Sequence, residues 1–168
     1  MNKTITVNGS CIPFNSPIIP KDFFRSNFMI TSVALPEHIT EIDDYAFFNC
    51  QLLKTIVMSD NITRIGVKAF DGCLSLKEIN IPKGVKVIET AFSGCEDLER
   101  VFIPEGVTTI KFCAFYCCER LSKVVIPDSV KIIENMAFGD CPKLVIECRK
   151  GSFAEQYAQS NGINYKII

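Results

Sequence analysis

Five phenylalanines, Phe47, Phe70, Phe92, Phe115 and Phe138, recur at intervals of 23, 22, 23 and 23 residues. Each follows an alanine (Ala46, Ala69, Ala91, Ala114, Ala137) and precedes a cysteine by three places (Cys50, Cys73, Cys95, Cys118, Cys141). Three residues further on stands a leucine: Leu53, Leu76, Leu98, Leu121 and Leu144. Four columns in register over five copies define an internal repeat. A helix pair needs about 33 residues or more, so the shorter period leaves room for one strand, a turn and a compact return.

After each leucine comes a β-rich piece, such as Leu76-Lys77-Glu78-Ile79-Asn80-Ile81-Pro82 or Leu121-Ser122-Lys123-Val124-Val125-Ile126-Pro127. A second apolar pair follows: Ile39 and Ile42, Ile62 and Ile65, Val85 and Ile88, Val107 and Ile110, Val130 and Ile133. The unit is L-x-x-V-x-I-P-x-x-V-x-x-I-x-x-x-A-F-x-x-C. Alternation within V-x-I puts both apolar side chains on one strand face. Proline at the strand end (Pro36, Pro82, Pro104, Pro127) lacks a donor and stops the ladder. The Ala-Phe step is too short for a helix and predicts a single turn or a 3₁₀ piece. Stacked copies would align as a parallel sheet about 4.8 Å from strand to strand, and each unit needs a neighbour to bury its apolar residues. Two departures stand out. Ser59 replaces the proline of repeat two, and repeat three is one residue short between Ile88 and Ala91. That loss predicts a tighter return at Glu89-Thr90, with Ile79 still beside Val101.

The unit resembles the BspA-like class of leucine-rich repeats, through Ile81-Pro82-Lys83-Gly84-Val85 and Ala91-Phe92-Ser93-Gly94-Cys95. The resemblance covers about residues 24 to 168. It implies a leucine-rich-repeat solenoid of the α/β class, β-rich, with short returns and a C-terminal capping helix and strand. One domain is expected over 1–168: an N-terminal cap with a degenerate half-repeat over 1–30, five repeats over 31–145, and a C-terminal cap over 146–168. In the half-repeat, Phe23-Phe24 precedes Ala46-Phe47 by 23 residues and Asn27 takes the cysteine place. Pro13, Pro17 and Pro20 predict an irregular cap over residues 1–22, although the alternation up to Val7, followed by Asn8-Gly9, reads as strand and turn. Downstream, Ser152 and Glu155 form a capping box, and Gly162 is placed to close the helix. Phe153 and Tyr157 lie four apart to seal the last repeat, and a final strand spans 163–168. Members of the class end in similar Gly-Ser-x-Ala, Tyr-Ala and Asn-Gly-Ile segments.

A net charge of −1 gives no electrostatic case for nucleic acid. No apolar run reaches the roughly 18 to 20 residues of a membrane span, and the alternating N-terminus is not an export signal. Nine cysteines invite a disulfide or metal reading. One cysteine per layer offers no tetrahedron for zinc, however, and parallel inward side chains seldom reach disulfide torsions. The ladder is therefore expected to be buried and reduced. Cys113, Cys117 and Cys118 cluster locally, and Cys117 is the candidate for a reactive surface thiol. The one histidine, His38, lies three repeats from Cys113, about 14 Å by stacking, whereas a nucleophile and its base must meet at about 3 Å. His38 reads as a turn residue. Asp43-Asp44 and Glu96-Asp97 read as solubilising pairs, and no glycine-rich phosphate loop occurs. No catalytic residue, cofactor or metal is expected. Asn2-Lys3-Thr4, Asn8-Gly9-Ser10 and Asn61-Ile62-Thr63 match the N-glycosylation pattern, which matters only in a secreted eukaryotic chain.

The strand positions facing away from the core form the remaining surface. Its middle column reads Ala34, Val57, Asn80, Phe102, Val125, and the column beside it Ser32, Thr55, Glu78, Arg100, Lys123. Val57, Glu78, Asn80, Arg100, Phe102, Lys123 and Val125 are the candidate partner-binding residues, with Phe102 as anchor and Arg100 at the rim. Strand propensity alone would also place apolar residues there. The leading reading is a non-catalytic interaction or adhesion module with a protein partner, and the resemblance implies cell-surface attachment. The alternative is an intracellular scaffold without a ligand, which the missing export signal and unpaired cysteines favour for a cytoplasmic location. An enzyme is the remaining class, and a uniform repeat supplies it with no convergent polar groups. Oligomeric state is not fixed by these features.

Overall fold

The repeat pattern predicts that inward residues share one core, and the computed structural model, which describes residues 3–168, shows how. In chain order the elements are β1 (Thr4–Val7), β2 (Ser10–Pro13), β3 (Ile18–Ile19), β4 (Ser32–Ala34), β5 (Glu41–Ile42), β6 (Thr55–Val57), β7 (Arg64–Ile65) and β8 (Glu78–Asn80). There follow β9 (Val87–Ile88), β10 (Arg100–Phe102), β11 (Thr109–Ile110), β12 (Lys123–Val125), β13 (Ile132–Ile133), β14 (Val145–Cys148), α1 (Phe153–Ser160) and β15 (Asn164–Ile167). Each repeat thus gives two strands and a return. The longer strands make a front face, and their central residues Val33, Ile56, Ile79, Val101 and Val124 are buried. The second member of each later apolar pair (Ile42, Ile65, Ile88, Ile110, Ile133) ends a shorter strand, and these strands form a second parallel stack.

The return is a hydrogen-bonded turn and not a 3₁₀ helix. The residues just before alanine and two after phenylalanine are left-handed: Tyr45 (φ 60) and Asn49 (φ 57), Cys113 (φ 54) and Cys117 (φ 54), Met136 (φ 56) and Asp140 (φ 54). Alternation of left- and right-handed residues flattens the turn, so that its amides face the next layer. Phe47 N donates to Ala69 O at 2.8 Å and Asn49 N to Asp71 O at 2.7 Å, and the pattern recurs along the stack. Asp22 (φ 59) and Ser26 (φ 52) give the first return, around Phe23-Phe24, the same shape.

The phenylalanine rings stack through the core. Centroids from Phe24 through Phe138 are 5.0, 5.1, 5.5, 5.3 and 5.2 Å apart. The cysteine column lies beside them with a defined task. Each thiol donates to the phenylalanine carbonyl of the preceding layer: Cys50 to Phe24 O at 2.9 Å, Cys73 to Phe47 O at 3.2 Å, and Cys95 to Phe70 O at 3.3 Å. Cys118 and Cys141 repeat this on Phe92 O and Phe115 O. Most of these carbonyls already accept an amide of their own layer, as Phe47 O does from Cys50 N, so the thiol adds a second donor that ties one layer to the next. Cys141, in the last layer, is only half-buried, which corrects the expectation for that one member.

Strand pairing is not continuous. The front face divides into β2-β1-β4-β6 and β8-β10-β12-β14-β15, and the second stack divides into β3-β5-β7 and β9-β11-β13. Ile79 pairs beside Val101 as expected, so β8 and β10 stay in register despite the short repeat. The missing residue appears as a tighter return: Ala91 N bonds Glu89 O, two residues back, where Ala69, Ala114 and Ala137 reach three back. The break falls one layer earlier, between repeats two and three.

Both ends are more regular than the prolines suggested. β1 and β2 form an antiparallel hairpin, and β1 pairs antiparallel with β4. Asn8 (φ 48) and Gly9 (φ 81) supply the two left-handed residues that such a tight hairpin demands. The Asn8 carboxamide oxygen accepts from Thr31 N, Thr31 Oγ1 and Ser32 N, fastening the hairpin to the repeats. Asn2, the first glycosylation match, lies outside the described residues. At the other end Ser152 Oγ accepts from Glu155 N, but the Glu155 carboxylate accepts from Gly151 N instead of the Ser152 amide. Ala154 and Ala158 are the buried residues of α1. Tyr157 sets its ring edge against Phe138 at 6.1 Å. Phe153 does not seal the core: it is 48% exposed, with Lys131 over its ring. The helix turns its alanines inward, against β13 and β14. Finally β15 runs parallel to β14 as the last strand.

These placements predict a contrast. Phe92→Ala should destabilise the chain by about 3 to 5 kcal/mol, because it removes a fully buried ring from mid-stack. Phe153→Ala should stay within about 0.5 kcal/mol of the parent. Urea melts of the two variants measure both.

Candidate docking face

Outward positions of the front strands line up by register, Arg100 beside Glu78 and Lys123, Phe102 beside Asn80 and Val125. Val57 is 63% exposed and Phe102 59% exposed; Glu78, Asn80 and Arg100 are exposed with them. Lys123 and Val125 are half-buried. Where β6 and β8 part, a cleft of about 410 Å³ opens on this face. Thr55, Val57, Glu78, Asn80, Arg100 and Phe102 form its walls, over Ile56 and Ile79. Five of the seven candidate residues therefore meet in one depression. Lys123 and Val125 lie one layer beyond it.

Charge on the face separates into groups already engaged and groups left over. Lys123 Nζ is held 2.7 Å from Glu147 and lies 6.0 Å above the Phe102 ring. That ion pair holds the Glu147 carboxyl below its ordinary range, through the hydrogen bond from Lys123 first. Elsewhere Arg64 spans Asp43 and Asp44, and Arg120 reaches Asp97 and Glu99. Among the described residues neither Glu78 nor Arg100 is ion-paired, and the Asn80 carboxamide makes no side-chain hydrogen bond. Beside the cleft these three polar groups are thus available to another molecule.

Sequence reasoning missed a larger cavity. About 820 Å³ opens at the last return, between Met136, Phe138 and Tyr157, with Arg120 and Lys143 at its rim. It is the space a further return would fill, and only pairing across the whole stack reveals it. Arg120 is already ion-paired there, and Asn161 Nδ2 donates to Tyr157 O.

The other sequence candidates are dispersed. His38 Nε2 lies 3.0 Å from Phe14 O and ties the first repeat to the cap, far from Cys113. Cys117 is partly exposed, but desolvation raises its thiol pKa and the Asp140 carboxylate adds to the rise, against the Tyr116 hydrogen bond. That is the wrong direction for a reactive thiolate. Asn61 Nδ2 donates to Glu37 O, so the Asn61 side chain is engaged within the fold.

Comparison with known proteins agrees with this geometry. Residues 17–145 match, in six copies, the family described as the BspA type leucine rich repeat region. Among solved structures, a leucine-rich cell surface protein from Faecalibacterium prausnitzii is 34% identical over 80% of this chain and 35% of its own, with a TM-score of 0.69. A leucine-rich repeat protein from Bacteroides ovatus is 31% identical over 99% of this chain and 44% of its own, with a TM-score of 0.76. The T. pallidum leucine rich repeat protein, 25% identical, covers 92% of this chain and 80% of its own at a TM-score of 0.77. This chain spans about a third of the F. prausnitzii protein and under half of the B. ovatus one. No curated protein is similar enough in sequence to count as a relative.

The thiols provide a direct check on the layer geometry. Burial pushes the Cys50 thiol up to about 11 and raises Cys73 and Cys95 as well, while Cys118 is raised by Cys141 and by burial. A thiol reacts as its thiolate, and at pH 8 a pKa of 11 leaves about one molecule in a thousand ionised. Titration of the native protein with a thiol reagent should label exposed Cys11 readily. It should miss Cys50, Cys73, Cys95, Cys118 and Cys148 until the chain is unfolded.

Proposed function

The chain belongs to the BspA-type leucine-rich-repeat family, and from that footing we propose that it is a non-catalytic module that binds a protein partner on its front sheet face. The observation that carries this reading is the cleft between β6 and β8, where an exposed aromatic ring stands beside three uncommitted polar side chains. Aromatic and arginine side chains over a partly enclosed floor are the chemistry of interface anchors. Phe102 is the anchor, Val57 forms the opposite wall, and Arg100 and Glu78 orient the partner at the rim. Lys123, tied to Glu147, braces the ring and is not itself a contact. Catalysis has no such support, since His38 is committed to Phe14 O and the repeat distributes its polar groups evenly.

The setting we favour is adhesion at a cell surface; the F. prausnitzii protein supports the location, being a leucine-rich cell surface protein. A second setting, a scaffold in a reducing compartment, has the nine unpaired cysteines in its favour.

The test is paired. A photo-crosslinking phenylalanine analogue at Phe102 should capture a partner that the same analogue at Phe153 does not. Phe102→Ala should then weaken binding of that partner by about 2 kcal/mol, roughly thirtyfold, with stability unchanged within about 0.5 kcal/mol. Unchanged affinity would place the contact elsewhere on the molecule.

A further inference from the structure

The junction between repeats two and three differs from every other junction in one way: it has lost its strand bonds on two sides at once. On the front, Glu99 N donates to Lys77 O and Lys54 N to Thr31 O, but among the described residues Lys77 N has no backbone acceptor. In the second stack, Thr63 N reaches Thr40 O and Thr108 N reaches Lys86 O, while Lys86 N reaches nothing in the layer before it. Likewise Gly66 N and Lys111 N bond Ile42 O and Ile88 O, and Glu89 N lacks the matching bond to Ile65 O. The return side stays intact, with Lys68 N on Thr90 O, Phe70 N on Ala91 O and Gly72 N on Ser93 O. Here the stacked rings reach 5.5 Å, their widest separation.

The cause lies in the short repeat. Without one residue, Ala91 N folds back onto Glu89 O in a three-residue turn, and the amide of that same Glu89 is one of those without its bond to β7. Thr90 Oγ1 donates to Phe112 O at 2.7 Å and holds the shortened return to the layer that follows. The shortened return thus keeps bonds to both neighbours, and strand pairing is lost only on the side of repeat two. Lys83 bridges the gap at the strand end, through its amide to Asp60 Oδ1 and its ammonium 3.1 Å from Asp60 Oδ2.

We infer that this junction is a hinge: two rigid blocks, one ending at repeat two and one beginning at repeat three, rock about the continuous return ladder. The cleft between β6 and β8 is the mouth of that hinge, and its width changes as the blocks rock. The inference stands independently of what the face binds.

Residue-resolved hydrogen exchange and spin-label distances test it without a partner. Amides of Lys77, Lys86 and Glu89 should exchange roughly tenfold faster or more than their counterparts Glu99, Thr108 and Lys111, with Phe70 and Gly72 remaining protected. Labels attached by non-cysteine chemistry at Ser32 and Arg100 span the junction across three layers. They should give a wider distance distribution than labels at Glu78 and Val145, which span three layers inside one block. Inserting a glycine between Glu89 and Thr90 restores the 23-residue spacing, and should slow the fast amides and narrow the wide distribution. Equal widths for the two label pairs in the unmodified chain would overturn the hinge, whether or not the insertion variant folds. A folded insertion variant that keeps the fast amides would overturn the assigned cause.

Discussion

A solenoid must repeat at one spacing on every side, and here two different contacts set that spacing. Hydrogen-bonded strands prefer about 4.8 Å from neighbour to neighbour. The stacked phenylalanines opposite them stand 5.0 to 5.5 Å apart. The small mismatch is absorbed by the return turn, whose left-handed residues fix the amide direction while the cysteine thiol reaches back to the phenylalanine carbonyl. Ring, thiol and turn amide are one device, repeated, and the rest of the molecule is arranged around it.

The docking face depends on that device indirectly. A regular stack would present an even lattice of outward side chains with no recess. The recess arises where the stack is irregular, and it lies beside the exposed Phe102 ring and the unpaired Glu78 and Arg100. Chemistry alone would not distinguish these residues from Lys123, which belongs to the same column but is neutralised by Glu147.

Much of this was legible in the residues. Spacing of Phe, Cys and Leu gives the layers, the strand positions and which side chains face outward. Two things were not legible and a third only in part, each for a physical reason. The location of the sheet break depends on pairing between layers: the shortened return keeps its turn bonds to both neighbours, while the strands before it lose theirs on one side only. Phe153 is spaced for an inward pair with Tyr157, but the helix buries Ala154 and Ala158, which leaves the Phe153 ring at the surface. The hairpin over residues 4–13 was visible in Asn8-Gly9, but the prolines argued against it; Pro13 is tolerated because β2 is an edge strand. Asn27 in the cysteine place also acquires a reason. No earlier layer offers a phenylalanine carbonyl for a thiol, and the Asn27 carboxamide accepts from Met29 N instead.

The uneven coupling between layers bears on how the chain comes apart. In a repeat protein, cooperativity is the sum of nearest-neighbour interfaces, and a chain melts as one unit only while every interface is strong compared with the repeats it joins. One interface here has surrendered its strand bonds and retains its rings, thiol and turn amides. Loss of order can therefore stop at that boundary, leaving one segment folded while the other has melted. A single free energy of unfolding then ceases to describe the molecule.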